Sequence, residues 1–385
     1  PIDGYSPLMS QLLAARGITN AVAAERFLPP KLEDLTSPFD IPGMSKAVKS
    51  IADAITAKKK IVIYGDYDAD GITSTALLMH GFQALNANIS YYIPRRFHEG
   101  YSLNKEAIDN LAAQGVEWMI TVDCGVSDFE EIAYAEQKGI KVVITDHHTP
   151  PDILPAAHAI VDPKCGAKGT PYYFLAGVGV AYKFLQAIYM ELGQALPLAN
   201  RYLELVTIGT VADVVPLVEE NRILTSFGLK QIHHSEWPGI AMLKKVSGQK
   251  GEVSPRTVGF MIGPRLNAAG RLEQASIAVE LLLAATKEEA EKLARQLESI
   301  NKKRQEISQR ILFEAQEMCT ADPSLTAHSV MILSKLGWHP GVIGIAASNL
   351  VRKYNRPVVL IAIEGASARG SLRSPDGVDI FSPLK

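Results

Sequence analysis

The chain has 385 residues, 47% of them hydrophobic, with 39 basic and 41 acidic side chains and a formal net charge of −2. That length supports two or three domains, and the charge balance excludes a broadly basic nucleic-acid coat, so any contact with nucleic acid has to be local. No run of 18 or more apolar residues marks a membrane helix, and Pro1-Ile2-Asp3-Gly4 is not a signal sequence.

Residues 1–45 read as a leader with short helical pieces and the pair Pro29-Pro30. Residues 46–235 read as alternating strands and helices. The apolar run Ile61–Gly65 predicts a buried strand, followed by Asp66, Asp68 and Asp70 in alternation, then Gly71 and a helical stretch from Ile72. Alternating carboxylates cannot be a buried strand, because unpaired charges would lose their hydration. They can form a loop at the carboxyl end of a strand, aimed at something strongly positive. Two hard divalent cations are the usual answer. The plain alternative is a solvated Asp-Gly turn.

Two further runs repeat the pattern. Trp118–Val122 ends in Asp123, with Gly125 in the turn, and Lys141–Thr145 ends in Asp146, His147 and His148. Each reads as a short strand buried on both faces. Helical stretches near 104–114 and 127–138 separate them, so the order is β-α-β-α-β and the strands are expected to be parallel. Their carboxyl ends then share one edge, which is where open α/β sheets bind ligands. A fourth cluster lies in Leu205–Pro216, where Asp213 interrupts an almost wholly apolar run. A buried aspartate needs hydrogen bonds, a counter-charge or a metal, the plain alternative here being a helix-terminal cap.

Gly177-Val178-Gly179 is not a dinucleotide fingerprint, since no strand precedes it at the right distance, and its glycines read as sites of close helix packing. No Walker A loop or GxSxG elbow occurs. Residues 236–270 are rich in Gly and Pro and read as irregular. Residues 276–320 read as one or two helices, the second a long charged amphipathic stretch from Lys287 to Cys319. Ala321-Asp322-Pro323 reads as a boundary. Beyond it, Ser329–Leu333 and Pro357–Ala362 look like strands with a helix at 343–353 between them. The expected fold is therefore α/β: a parallel-sheet domain joined by a long helix to a second, smaller and truncated α/β domain. The missing initial Met and the stop after Phe381-Ser382-Pro383-Leu384-Lys385 read as a fragment or processed chain. Cys124, Cys165 and Cys319 form no CxxC pair, which fits a reducing cytoplasm.

Basic residues gather at Lys58–Lys60, Arg95-Arg96, Lys244-Lys245, Arg265, Arg271 and Lys302–Arg304. Most such charges are solvated faces. Arg265 and Arg271 flank Leu266–Gly270, a small-residue stretch where backbone can approach a ligand.

Taken in order, Gly65–Gly71, Val122–Gly125, Thr145–His148 and Gly209–Leu217 resemble the motifs of the DHH phosphoesterases. Within that group the chain is similar to the RecJ exonuclease family. Ile93–Tyr101, Leu175–Ala181, Gly263–Leu272, Trp338–Gly344 and Gly370–Ser374 resemble further RecJ segments, and the likeness covers roughly residues 25–385. It implies a leader (1–45), a DHH catalytic domain (46–275), connecting helices (276–320) and the start of a DHH-associated substrate-binding domain (321–385).

The resemblance also implies roles. Asp68, Asp70, Asp123, His147 and Asp213 would ligate two Mn²⁺ or Mg²⁺ ions, with Asp123 as the bridge. Asp66 would join them or order the loop. His148 would face the scissile phosphate, with Asp146 fixing backbone or an imidazole tautomer. Arg96, Arg265, Asn267, Arg271, His339, Gly341, Ser371 and Arg373 would hold substrate. The implied activity is digestion of single-stranded DNA from the 5′ end to mononucleotides, in repair and recombination. Expected partners are single-stranded DNA, a single-strand-binding protein and a helicase, with no membrane.

Other readings are a DHH phosphodiesterase acting on short oligoribonucleotides or cyclic dinucleotides, and a non-catalytic DNA-binding scaffold. Gly263–Leu272 and the long helix favour the first reading over the second, and the intact ligand positions argue against the third. One departure is that RecJ proteins carry a Gly-Gly-His segment and an oligonucleotide-binding barrel after the Gly-Ser-x-Arg-Ser motif, and neither lies in these residues. Weaker DNA affinity and processivity are expected as a result.

Overall fold

The computed structural model of the chain describes residues 1–96, 102–272, 274–380 and 382. The part of the Ile93–Tyr101 motif from Phe97 onward lies outside the described residues, as do most of the last five positions.

The chain divides into two compact units, residues 1–270 with 275–295, and residues 271–274 with 296–385. In the first, five described strands form one parallel sheet: β1 (Ile61–Gly65), β2 (Ile89–Tyr92), β3 (Trp118–Val122), β4 (Lys141–Thr145) and β5 (Ala159–Val161). Their order is β2-β1-β3-β4-β5. The strands β1 and β3 are buried along their whole length. That is why each reads as an unbroken apolar run rather than an alternation. The chain steps outward from β1 to β2, returns across β1 to β3, and continues through β4 to β5. The direction of winding therefore reverses between β1 and β3, the crevice where open α/β sheets bind ligands.

Helices cover both faces. On one, Ile108, Leu111, Ile132 and Ala135 pack over Val62, Tyr64, Met119 and Ile144. On the other lie the helices Met44–Thr56, Ala69–Ala84 and Gly177–Glu191, with Leu203–Ala212 packed against the second and third of these. The leader is tied to this unit by a buried ion pair. Lys183 Nζ lies 2.9 Å from Glu220 Oε2 and donates to Glu220 Oε1 at 3.1 Å and to the Thr36 carbonyl at 2.7 Å, and Glu220 Oε1 also accepts from the Thr36 N–H at 2.8 Å. Mutual hydrogen bonding of this kind is what a fully desolvated pair requires.

The second unit holds β6 (Met331–Leu336), β7 (Val358–Glu364) and β8 (Ser367–Arg373) in that order, β6 and β7 parallel, β7 and β8 an antiparallel hairpin. The helix Ile343–Tyr354 packs on β7 and β8. Ile311 and Ala315 of the long helix Lys287–Ala321 join its core around Trp338, Leu333 and Leu360.

One expectation is corrected. Residues 236–270 are not irregular. They hold the helix Pro238–Val246, a turn of helix at Pro255–Thr257, a π-helical turn at Val258–Ile262 and the helix Gly263–Leu272. Pro238 and Pro255 stand at helix starts, where the missing N–H is not needed, and Ser254 with Thr257 forms a capping box. The prolines that read as loop markers are helix initiators.

Candidate metal centre

The sheet register explains why the acidic groups meet. Gly65 pairs with Val122, Val122 with Thr145, and Thr145 with Val161. The residues that follow these four are Asp66, Asp123, Asp146 and Asp162, so four aspartates stand side by side across adjacent strand ends. Asp162 is a member the sequence reading missed. It is fully buried, and burial pushes its carboxyl up to about 7.

The loop after β1 is held by backbone donors. Asp68 caps the helix Ala69–Ala84, its Oδ1 accepting from the N–H groups of Asp70 at 2.8 Å and Gly71 at 3.2 Å. Asp70 is 1% exposed, and both its carboxylate oxygens accept from the start of another helix, Gly177 N–H at 2.7 Å and Val178 N–H at 2.8 Å. The Ala69 N–H donates to Asn267 Oδ1 at 2.8 Å, and Gly270 lies against the Tyr67 carbonyl where a Cβ would collide. Helices starting about a hundred and two hundred residues later thus clamp one short loop.

Asp123 has φ 61, in the left-handed region that non-glycine residues seldom occupy. Strain of this kind persists where the surroundings dictate it, and it collects at functional sites. Asp146 acts as an anchor. It accepts from the His147 N–H at 2.7 Å, the His148 N–H at 3.1 Å, the Val126 N–H at 3.0 Å and His148 Nδ1 at 2.7 Å. That hydrogen bond raises His148 to about 9, against the effect of burial, so its imidazolium is half-exposed and oriented. His147 is buried. Its Nε2 lies 3.1 Å from Asp123 Oδ1, 3.6 Å from Asp213 Oδ2 and 3.8 Å from Asp70 Oδ2. Burial and the neighbouring His148 push His147 down to about 3, and neither ring nitrogen makes a well-formed hydrogen bond.

Burial and mutual repulsion raise the carboxyls in turn. Asp66 is pushed up to about 8, Asp213 to about 6, and Asp70 and Asp123 well above the carboxylate range. A neutral imidazole faces several crowded, desolvated carboxylates. The donor set is oxygen-rich with added imidazole, the chemistry that suits Mn²⁺ or Mg²⁺. Among the described residues, three groups have donor atoms within 4.8 Å of one another: Asp66, Asp68 and Asp123; Asp70, His147 and Asp213; and Asp123, His147 and His148. Asp123 and His147 each belong to two groups. Cys124 stays out, its buried Sγ directed at the Tyr64 carbonyl.

The remaining sequence candidates divide between the units. In the first, the Arg96 guanidinium lies over the Tyr67 ring at 4.9 Å, Arg265 Nη1 donates to the Met261 carbonyl, and Asn267 holds the loop as described. In the second, Arg271 Nη1 donates to the Gly341 carbonyl at 3.1 Å, and His339 Nδ1 accepts from the Gly341 N–H at 3.1 Å. Ser371 and Arg373 stand on β8 beside Gly344, where a Cβ would sit 2.8 Å from Ser371 Oγ and 3.1 Å from Arg373 Nη2. Sequence reasoning also missed Gly177 and Gly209. A Cβ at Gly177 would lie 2.7 Å from Asp123 Oδ1, and one at Gly209 would lie 2.8 Å from Asp70 Oδ1. The available signal was a glycine near each cluster, which on its own does not separate close packing from close approach to a ligand.

Residues 60–210 match the DHH family N-terminal domain and residues 326–385 match the DHHA1 domain. With the parallel sheet and its ligand-bearing edge, these matches define the class as DHH. The single-stranded-DNA-specific exonuclease RecJ of Bacillus subtilis is 42% identical over 98% of this chain and 48% of its own length. That of Haemophilus influenzae is 39% identical over 98% of this chain and 68% of its own. A crystal structure of exonuclease RecJ bound to manganese aligns with TM-score 0.80 and 33% identity, covering 92% of this chain and 86% of that one. RecJ from Thermus thermophilus in complex with Mn²⁺ aligns with TM-score 0.83 and 31% identity over all of this chain and 56% of that one. The chain belongs to the RecJ family. It spans about half the length of the Bacillus relative.

Proposed function

We propose that this chain hydrolyses phosphodiester bonds of single-stranded DNA from the 5′ end, releasing mononucleotides, with two Mn²⁺ or Mg²⁺ ions. The observation that carries the reading is the sharing of Asp123 and His147 between donor groups at one sheet edge, in a chain of this family. Asp66, Asp68 and Asp123 would hold one ion, and Asp70, His147 and Asp213 the other, with Asp123 between them. Two such ions supply Lewis acidity and an activated water. The protein's own part is positional. The aspartate row fixes spacing, the helix start at Gly177 holds Asp70, and Asp146 presents the His148 imidazolium where a phosphate oxygen or leaving group can take a proton.

Arg96, Arg265, Arg271, His339, Gly341, Ser371 and Arg373 would grip the strand, arginine suiting phosphate by its fixed charged fork. Asn267 would act through the metal loop. No helix among the described residues is long and apolar enough to cross a membrane. The proposed role is in repair and recombination in the cytoplasm, with a single-strand-binding protein and a helicase as partners.

The test is digestion of 5′- and 3′-labelled single strands with Mn²⁺, beside a dinucleotide. Early release of the 5′ label as mononucleotide supports the reading. Preference for the dinucleotide would instead favour a short-oligonucleotide phosphodiesterase.

A further inference from the structure

The strand β5 brings a cation to the metal centre that belongs neither to the carboxylate row nor to the proposed grip on the strand. Thr145 pairs with Val161, and the Asp146 N–H donates to the Val161 carbonyl at 3.1 Å, so the chain leaving β5 stays beside the Asp146-His147-His148 turn. It then makes one turn of 3₁₀ helix, Pro163–Cys165. Asp162 caps that turn. Its Oδ1 accepts from the Lys164 N–H at 2.7 Å, and its carbonyl accepts from the Cys165 N–H at 3.1 Å. Pro163 is buried, and its ring fixes φ. The backbone of Lys164 is therefore closely set. Its side chain is partly exposed and, among the described residues, is in no ion pair. The Asp162 carboxylate does not neutralise it, because one oxygen is taken by the backbone and the other is buried without a hydrogen-bond partner.

Three residues of the centre respond to this charge. Burial and His148 do most to lower His147, and Lys164 lowers it further. The Asp146 hydrogen bond raises His148, and Lys164 opposes that rise. Burial raises Asp213, and Lys164 opposes that as well. At the other end of the sheet edge the Arg96 charge opposes the burial that raises Asp66. The strands β2 and β5 are the outermost of the five, so each end of the acidic row is closed by a cation carried just beyond an outer strand. When metal ions occupy the carboxylates, Lys164 and the His148 imidazolium are left as two positive groups acting on one place. Like charges held together cost free energy, and an anion between them relieves it.

We propose that Lys164 contacts a non-bridging oxygen of the reacting phosphate from the β5 side, beside His148. Lysine suits this contact as a compact point charge on a flexible stem. The inference rests on the proposed hydrolysis for its substrate, and it assigns Lys164 to the phosphate rather than to the metal ions or to a neighbouring nucleotide.

Lys164→Met keeps the stem and removes the charge. The parent chain and this variant are titrated calorimetrically with Mn²⁺, and then, at saturating Mn²⁺, with dTMP and with thymidine. The variant should bind dTMP about tenfold more weakly or worse, the scale of one charged hydrogen bond, with thymidine unaffected. Its Mn²⁺ affinity should be unchanged or tighter, because a nearby cation has gone. A merely structural role would weaken both. Lys164→Arg should keep most of the dTMP affinity. The value of kcat/KM should fall by a similar factor on a long single strand and on thymidine 5′-p-nitrophenyl phosphate, which has one phosphodiester. The proposal is overturned if the parent does not bind dTMP, if Lys164→Met binds it normally, if Mn²⁺ and dTMP weaken together, or if the loss is confined to the long strand. Should the parent fail to digest single strands while the dTMP pattern holds, the proposed activity falls and the assignment of Lys164 stands.

Discussion

Asp70 and Gly177, 107 positions apart, are joined by a 2.7 Å hydrogen bond from the glycine N–H to the aspartate Oδ2. The helix Gly177–Glu191 therefore begins on a candidate metal ligand, and its positive end helps the carboxylate tolerate burial. The same glycine leaves no room for a side chain beside Asp123. Gly177→Ala should lower hydrolysis by about 100-fold or more while costing only about 1–3 kcal/mol of stability, the range for overpacking. Paired rate measurements and urea melts check this. A large stability loss with normal specific activity would place the glycine's role in packing alone.

Asp123→Ala should reduce hydrolysis by more than about 10³-fold, the scale of a central electrostatic contributor. Its fold should survive, because removing one carboxylate from a crowded, desolvated group offsets the poorer fit of alanine to the φ 61 backbone at this position. More than a tenth of the parent rate at saturating Mn²⁺ would exclude a bridging role.

Stability should depend on pH in a direction set by the centre. Asp66 is raised to about 8, so the folded chain holds its proton more tightly than the unfolded chain does. Stability then falls as pH rises toward and through 8. His148, raised to about 9, contributes stability that is fully present below its unfolded value of 6.5 and lost as pH rises through 9. His147, lowered to about 3, acts only below 6.5. Between pH 6.5 and 8 the two raised groups act in the same direction, and His148 continues to act up to 9, so in chelator the melting temperature should drop from pH 6.5 to 9. Bound Mn²⁺ should flatten the slope by replacing protons as the counter-charge. Melts at pH 7 and 9, with and without metal, test this; an apo protein more stable at pH 9 contradicts it.

Asn267→Ala should weaken Mn²⁺ binding, because it removes the acceptor for the Ala69 N–H and loosens the loop that carries Asp68 and Asp70. Excess metal should recover most of the rate. If instead single-strand affinity falls and the Mn²⁺ titration is unchanged, Asn267 contacts DNA.

The strand-end carboxylates were legible because charge at the end of an apolar run has few physical explanations. The edge strands β2 and β5 were harder to read. The first is half-buried throughout and the second is three residues long, so neither gives a sustained pattern. The part of Asn267 in holding the loop, as against the substrate contact expected of it, and the closeness of Gly177 to the centre were hidden for another reason. Both residues reach the centre through backbone hydrogen bonds and close approach across long sequence separations, and residue type does not reveal that. Pro238 and Pro255 misled because the same residue breaks a helix in its interior and starts one at its first position.

Arg373→Ala should weaken binding of long single strands and leave metal binding unchanged. The arginine stands at the end of β8, its Nη1 donating to the Leu372 carbonyl at 2.7 Å, beside Ser371 and Gly344. Loss of one phosphate contact should lower the salt slope of binding by about one. Equal losses on a dinucleotide and on a long strand would move Arg373 to the reacting phosphate.

The placing of Asp66 and Asp123 just beyond the paired residues Gly65 and Val122 would give the sheet a metrological role on the proposed reading. Neighbouring strands are separated by about 4.8 Å through their hydrogen bonds, and two-metal hydrolysis places its ions about 3.5–4 Å apart. On the proposed two-ion reading, the spacing of Asp66 and Asp123 would therefore be set by the pitch of the peptide backbone, with the two carboxylate arms closing the remaining difference. Asp→Glu exchanges at Asp66 or Asp123 would lengthen a ligand arm by a methylene that strands at fixed pitch cannot move to absorb. Cations that need a separation other than the one these two arms allow would occupy the ligands without forming a working pair.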